Sequence, residues 1–194
     1  MKVDIEKWLA EGDLTNDGRS DEVVALVKDI PAVFEDVFDC LKSPNLVVRG
    51  HAADALEKIG RDQPELFLPF IDQILTTIEN ATLPMVQWHL AMLLGHLAVY
   101  PEYHQRFADA LIPLVAHGQS FTQSWAITSL TILARLSPEL QPEAMQAISD
   151  CRGGGSAALR KRAEKALATL VEGSPLIKGW VKSPAVQQLL RKIE

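Results

Sequence analysis

Four copies of one apolar stripe constrain this chain more than any other feature of its sequence. Val48, Ala52, Leu56 and Ile59 are spaced i, i+4, i+8 and i+11, which places them on one face of an α-helix. Val86, Leu90, Leu94 and Leu97 repeat the stripe 38 residues on, and Thr122, Ala126, Leu130 and Leu133 follow after 36 more. Leu159, Ala163, Leu167 and Leu170 complete the series after another 37. A polar residue follows the first stripe position each time: Arg49, Gln87, Gln123 and Arg160. A second marker is independent of the first. Pro64, Pro101, Pro138 and Pro175 lie 37 residues apart, and the first three are followed by Glu65, Glu102 and Glu139. Proline suits the first turn of a helix, where its missing N–H is not needed, and an acid there meets the positive end of the helix dipole. Each unit therefore reads as helix A, a break, Pro-Glu, then helix B. Such a pair cannot bury its apolar face alone and stacks on its neighbours. The sequence thus predicts an all-α fold, an α-α superhelix (solenoid) of about four to five helical-hairpin repeats.

The period sets the element bounds. Helices A are predicted over about 45–60, 84–99, 120–136 and 156–172, and helices B over about 64–79, 101–117 and 138–151. Pro69, Pro113 and Pro142 are placed to bend or restart the B helices. Ser20 caps a helix through Ile30, and Pro31 opens another through Leu41, together a degenerate first repeat. Residues 2–11 form a short amphipathic helix with Ile5, Trp8 and Leu9 on one side, and Ser183-Pro184 opens a closing helix. One domain over 1–194 results: an N-terminal cap and loop (1–19), repeats (20–172) and a C-terminal cap (173–194). The glycine-rich run Cys151–Ser156 reads as a turn between repeats, since it lacks the Lys-Ser/Thr ending and preceding strand of a phosphate loop.

The stretch Leu41–Gly60, with Val48-Arg49, Ala52-Ala53 and Leu56, resembles the helix A signature of the HEAT-repeat family. The resemblance covers nearly all of residues 20–172. Only the first full copy keeps the Val-Arg pair; the others have Val86-Gln87, Thr122-Gln123 and Leu159-Arg160. It implies an α-solenoid whose B helices line a concave side and bind other macromolecules.

Composition narrows the function classes. Hydrophobic residues make up 47% of the chain, too many for a disordered polymer, and the apolar runs are too short to span a bilayer. MKVDIEKW carries charges where a signal peptide needs an apolar core. Cys40 and Cys151 have no ligand spacing and read as reduced thiols of a cytoplasmic protein. Residues 1–151 hold 10 Lys+Arg against 22 Asp+Glu, whereas residues 152–194 hold 9 against 3. An acidic body with a basic end informs association rather than fold.

Four constellations hold residue types suited to chemistry. The loop Glu11–Ser20 places Asp13, Asp17 and Gly18 at EF-hand positions 1, 5 and 6, but Val24 falls at position 12, where a bidentate Glu is needed, so it reads as an acidic surface loop. His51 and His89 occupy equivalent places one repeat apart, and His96 lies i+7 from His89. No third ligand converges on them in the sequence, and no His-Glu dipeptide of the kind some HEAT-like hydroxylases use for iron occurs. They read as packing residues, with no metal, cofactor or catalytic group assigned. Asp39, Asp72, Asp109 and Gln146 recur at one angular position of successive B helices when the first repeat is aligned on Pro31, an acidic ladder suited to a basic segment of another protein. Glu65, Glu102 and Glu139 are rim candidates at most. Arg160, Lys161, Arg162 and Lys165 form an alternative basic surface for nucleic acid, as in HEAT-like enzymes that excise damaged bases; the acidic B-helix side opposes that reading. The sequence therefore favours a cytoplasmic, non-enzymatic protein-interaction scaffold over an enzyme or nucleic-acid handler at the basic end or the His51/His89 face.

Overall fold

Asn45 begins the first long helix: its side chain accepts from Val47 N, satisfying a donor that the helix leaves open. This computed structural model describes residues 3–151 and 155–193, and all regular elements among them are helical. In chain order the α-helices are α1 (Ile5–Leu9), α2 (Ser20–Asp29), α3 (Phe34–Asp39), α4 (Leu46–Asp62), α5 (Ile71–Asn80), α6 (Pro84–His96), α7 (His104–His117), α8 (Ser120–Leu136), α9 (Gln141–Cys151), α10 (Ala157–Glu172) and α11 (Pro184–Leu190). The glycine-rich turn expected at Cys151–Ser156 falls partly outside the described residues.

The predicted A helices are α4, α6, α8 and α10. They pack in chain order, α4 on α6, α6 on α8 and α8 on α10. A second row runs beside them, α5 on α7 and α7 on α9. Every stripe residue is buried except Leu167, which is half-buried. At the α4–α6 contact, a Cβ on Gly60 would lie 2.3 Å from Leu93 Cδ1, so a larger residue there would have to push the Leu93 side chain aside. Among the described residues no helix is long and apolar enough to cross a membrane.

The Pro-Glu steps open the second row, but as 3₁₀ turns: Pro64–Phe70 before α5, Pro101–Tyr103 before α7 and Pro138–Leu140 before α9. The residue before each proline, Gln63, Tyr100 or Ser137, is held out of the helical region by the proline ring, so the chain enters sharply and tightens its first turn. Pro69 sits inside the first of these turns, and α5 restarts beyond it. Pro113 lies within α7 without ending it.

The ends differ from the middle. Gly173 adopts φ 68° and stops α10. No B helix follows Pro175; the chain runs irregularly to Ser183, whose side chain caps α11. That helix returns to pack on α4, α8 and the 3₁₀ turn Leu97–Val99. At the other end, α1 and α2 pack against α4. Both termini thus fold onto the A row.

Candidate functional site

The acidic ladder stands on the second row. Asp39 ends α3 and pairs with Lys42 at 2.8 Å. Asp72, in the first turn of α5, meets Arg106 of α7 at 2.6 Å. Asp109 accepts from Gln105 at 3.0 Å, and Gln105 also reaches Glu143 of α9 at 2.9 Å. Gln146 donates to Asp150 at 2.8 Å. All four ladder residues are exposed, and the contacts Asp72–Arg106 and Gln105–Glu143 cross between neighbouring helices. A cleft of about 500 Å³ opens beside Asp109, with Leu75, Ile78 and Pro113 in its floor and Arg106 and Glu79 at its edge. A second, of about 510 Å³, gathers Asp4, Glu6, Asp36 and Asp39 around Cys40. Burial, followed by those carboxylates, pushes the Cys40 thiol up to about 12.

A different polar cluster lies on the A row. Asp54 and Glu57, three residues apart in α4, share a helical face, and both are buried. Ser20 of α2 donates to Asp54 Oδ2, and Lys58 Nζ lies 2.8 Å from the same oxygen. Lys58 also meets Asp17 at 3.0 Å and Asp21 at 2.6 Å. The Lys58 amine is desolvated, but its bonds to Asp21, Asp54 and Asp17 outweigh that and raise its pKa. Glu57 Oε1 accepts from His96 Nε2 at 2.7 Å and from Arg61 Nε at 3.0 Å, while Oε2 accepts from Arg61 Nη2. Burial alone would raise the Glu57 carboxyl; the bonds from His96 and Arg61 prevail and hold it at about 2. His89 of α6 presents Nδ1 to Asp54 Oδ1 at 3.7 Å, too long for a hydrogen bond. Burial, against the pull of Asp54 and Glu57, lowers the His89 ring to about 4, and burial also lowers His96 against Glu57. The Asp54, Glu57 and His89 ligand atoms lie within 4.8 Å of one another.

His51 shares its repeat position with His89 but does other work. Its Nδ1 donates to Leu9 O at 2.8 Å, and its Nε2 faces Asp13 O at 3.0 Å and Asn16 O at 2.9 Å. Gly18, at φ 51°, leaves room for the ring: a Cβ there would lie 2.6 Å from His51 Cε1. In this loop the Asp13 carboxylate accepts from Thr15 N and Asn16 Nδ2, and Asp17 faces Lys58, so the two acids do not converge as calcium ligands.

The basic set is divided. Arg160, Lys161 and Lys165 are exposed, with Arg160 donating to Gly155 O at 2.7 Å. Arg162 turns inward, bonds Thr128 Oγ1 at 2.7 Å, and lies over the rings of Trp125 and Trp180 at 5.2 and 5.4 Å. Lys182 lies over Trp125 at 5.0 Å, and burial lowers its pKa.

Sequence reading found no third ligand near the histidines. The structure brings Asp54 and Glu57 to His89 from a neighbouring helix. The available signal was that Asp54 and Glu57 lie in the first full A helix and His89 one repeat on, yet the run Asp54–Lys58 has the look of a solvated helix face. No family model, curated protein or solved structure matches the chain.

Proposed function

We propose that the two rows form a HEAT-like solenoid that serves as a non-catalytic protein-interaction scaffold. The exposed side of the second row is its concave face, and it takes a basic segment of another protein. The observation that carries this reading is the exposure of Asp72 and Asp109 on neighbouring helices, with Asp109 lining an apolar-floored cleft and Asp72 paired to Arg106 at its edge. Side chains of a lysine- or arginine-rich helix fit such a site: stems on Leu75 and Ile78, charged heads at the carboxylates. Asp39 and the acidic cleft around Cys40 extend the same sign of charge toward the N-terminal end, with Gln146 continuing the row beyond Asp109. Arg106 offsets part of this field, which favours a segment with spaced rather than continuous cations. Cys40 and Cys151 are free thiols, in keeping with work in the cytoplasm.

The test is fluorescence anisotropy of a labelled Lys/Arg-rich helical peptide at low and high salt. The Asp72→Lys/Asp109→Lys double variant should bind at least about tenfold more weakly at unchanged thermal stability, because exposed charges add little to folding. Equal binding by the double variant overturns the reading. Binding of an oligonucleotide that depends on Arg160, Lys161 and Lys165 moves the functional surface to α10.

A further inference from the structure

We propose that Asp54, Glu57 and His89 form a binding site for a divalent transition-metal ion, on the A row and separate from the proposed peptide face. The donors are of the right kind: two carboxylate oxygens and one imidazole nitrogen suit ions such as Zn²⁺ or Mn²⁺. Three protein ligands leave a position open for water or a small anionic molecule.

Geometry carries the proposal. The three ligand atoms fall within 4.8 Å of one another. Two atoms bound to one ion at about 2.1 Å stand roughly 3–3.6 Å apart at tetrahedral angles and somewhat farther at wider ones. His89 Nδ1 and Asp54 Oδ1 are 3.7 Å apart, beyond hydrogen-bond range and close to a shared-ion separation. Nδ1 is sealed from solvent and has no hydrogen-bond partner, on a side chain only 11% exposed. Buried imidazole nitrogens without partners are costly; His96 Nδ1 is unpartnered too, but it is His89 that is grouped with the Asp54 and Glu57 ligand atoms.

The supporting shell is already in place. Ser20 and Lys58 hold Asp54 by Oδ2, leaving Oδ1 directed at His89. His96 and Arg61 fill three of the roughly four acceptor sites of Glu57, leaving one. Carboxylates oriented by such outer bonds are typical of metal sites. The charge balance agrees. Asp17, Asp21, Asp54 and Glu57 surround two cations, Lys58 and Arg61, and a divalent ion offsets the remainder. Lys182 is the opposing charge. Among the described residues it has no carboxylate in ion-pair range and lies over the Trp125 ring.

The full chain, stripped with chelator and desalted, is titrated calorimetrically with ZnCl₂ and separately with MnCl₂. One equivalent of at least one ion should bind. His89→Gln and Asp54→Asn should each weaken binding at least tenfold. Lys182→Met, which removes a like charge, should tighten it several-fold, and Asp36→Asn at the surface acidic cleft should leave it unchanged. The unaltered protein provides a readout that does not depend on how the variants fold: ¹⁵N NMR of the histidine rings, in which Zn²⁺ should move the His89 Nδ1 resonance. No binding of either ion, or binding that is equal in His89→Gln and leaves that resonance in place, overturns the site. Peptide capture by the second row tests the scaffold reading separately.

Discussion

His51 and Leu9 meet at 2.8 Å, ring nitrogen to backbone carbonyl, and this contact ties α1 to α4. The other ring nitrogen also faces only carbonyl oxygens, those of Asp13 and Asn16. The ring thus gathers three carbonyls of the N-terminal segment at once.

His51→Ala should therefore release that segment without unfolding the rest. The expected loss is about 1–3 kcal/mol, the cost of leaving buried polar groups unpaired. Because contacts in stacked helical units are made with neighbours, amide exchange should speed up across residues 5–19 and stay unchanged in α8 and α9. Uniform loss of protection along the chain contradicts the lock.

Glu57 is expected to matter more for stability than an acid in the middle of a helix usually does. Glu57→Ala takes the carboxylate from between His96 and Arg61 and leaves a buried imidazole without its acceptor. Breaking a buried pair from one side costs about 3–5 kcal/mol. Urea denaturation should place it alongside Leu94→Ala and Leu130→Ala, each about 2–5 kcal/mol from the core stripe. A cost below about 1 kcal/mol would mean that apolar packing alone joins α4 to α6.

The stripe and the proline period were legible because they are local and repeated four times; chance seldom keeps a helical spacing and a 37-residue interval together. The A-row cluster was not legible, for a physical reason. Asp54, Glu57 and Lys58 are spaced like an ordinary solvated face, and the first two are buried and Lys58 half-buried only because α2, α6 and the returning C-terminal segment cover them. Nothing in a helical period records which distant segment covers it. His51 and His89 show the same limit. They share a sequence position, but His51 meets the N-terminal loop and His89 meets Asp54, since one belongs to the end unit and the other to an internal one. Asp39, Asp72, Asp109 and Gln146 are exposed, a property that the helical period alone leaves conditional on which side of the second row meets solvent.

The two thiols should differ in reactivity. Cys40 is buried among Glu6, Asp36, Asp39 and Asp4 and is pushed up to about 12, while Cys151 is raised by burial alone. At pH 8.5 roughly one Cys40 side chain in a few thousand is thiolate, the only form that alkylates readily. Iodoacetamide should label Cys151 first and reach Cys40 only after denaturation, as read by peptide mass spectrometry. Comparable labelling of both in the native protein would mean that the acidic cleft does not protect Cys40.

The C-terminal segment should behave as a strap fastened at Trp180. This side chain is 7% exposed, lies 5.4 Å from the Arg162 guanidinium, and comes just before Lys182, which reaches the Trp125 ring. Beyond it, α11 buries Val186 and Leu190 on the A row. Trp180→Ala removes a large buried ring together with its cation–π contact, a loss of about 3–5 kcal/mol where the site cannot collapse and less at a chain end that can move. Exchange of residues 176–190 should rise well above that of α6 and α8, and the Trp125 fluorescence should shift red as water reaches its ring. Arg162→Lys separates the two contributions. It keeps the charge but loses the guanidinium's contacts with the Trp125 and Trp180 rings, so it should loosen the strap by a fraction of the Trp180→Ala effect. An Arg162→Lys effect as large as that of Trp180→Ala would show that the guanidinium, rather than the buried indole, holds the segment down.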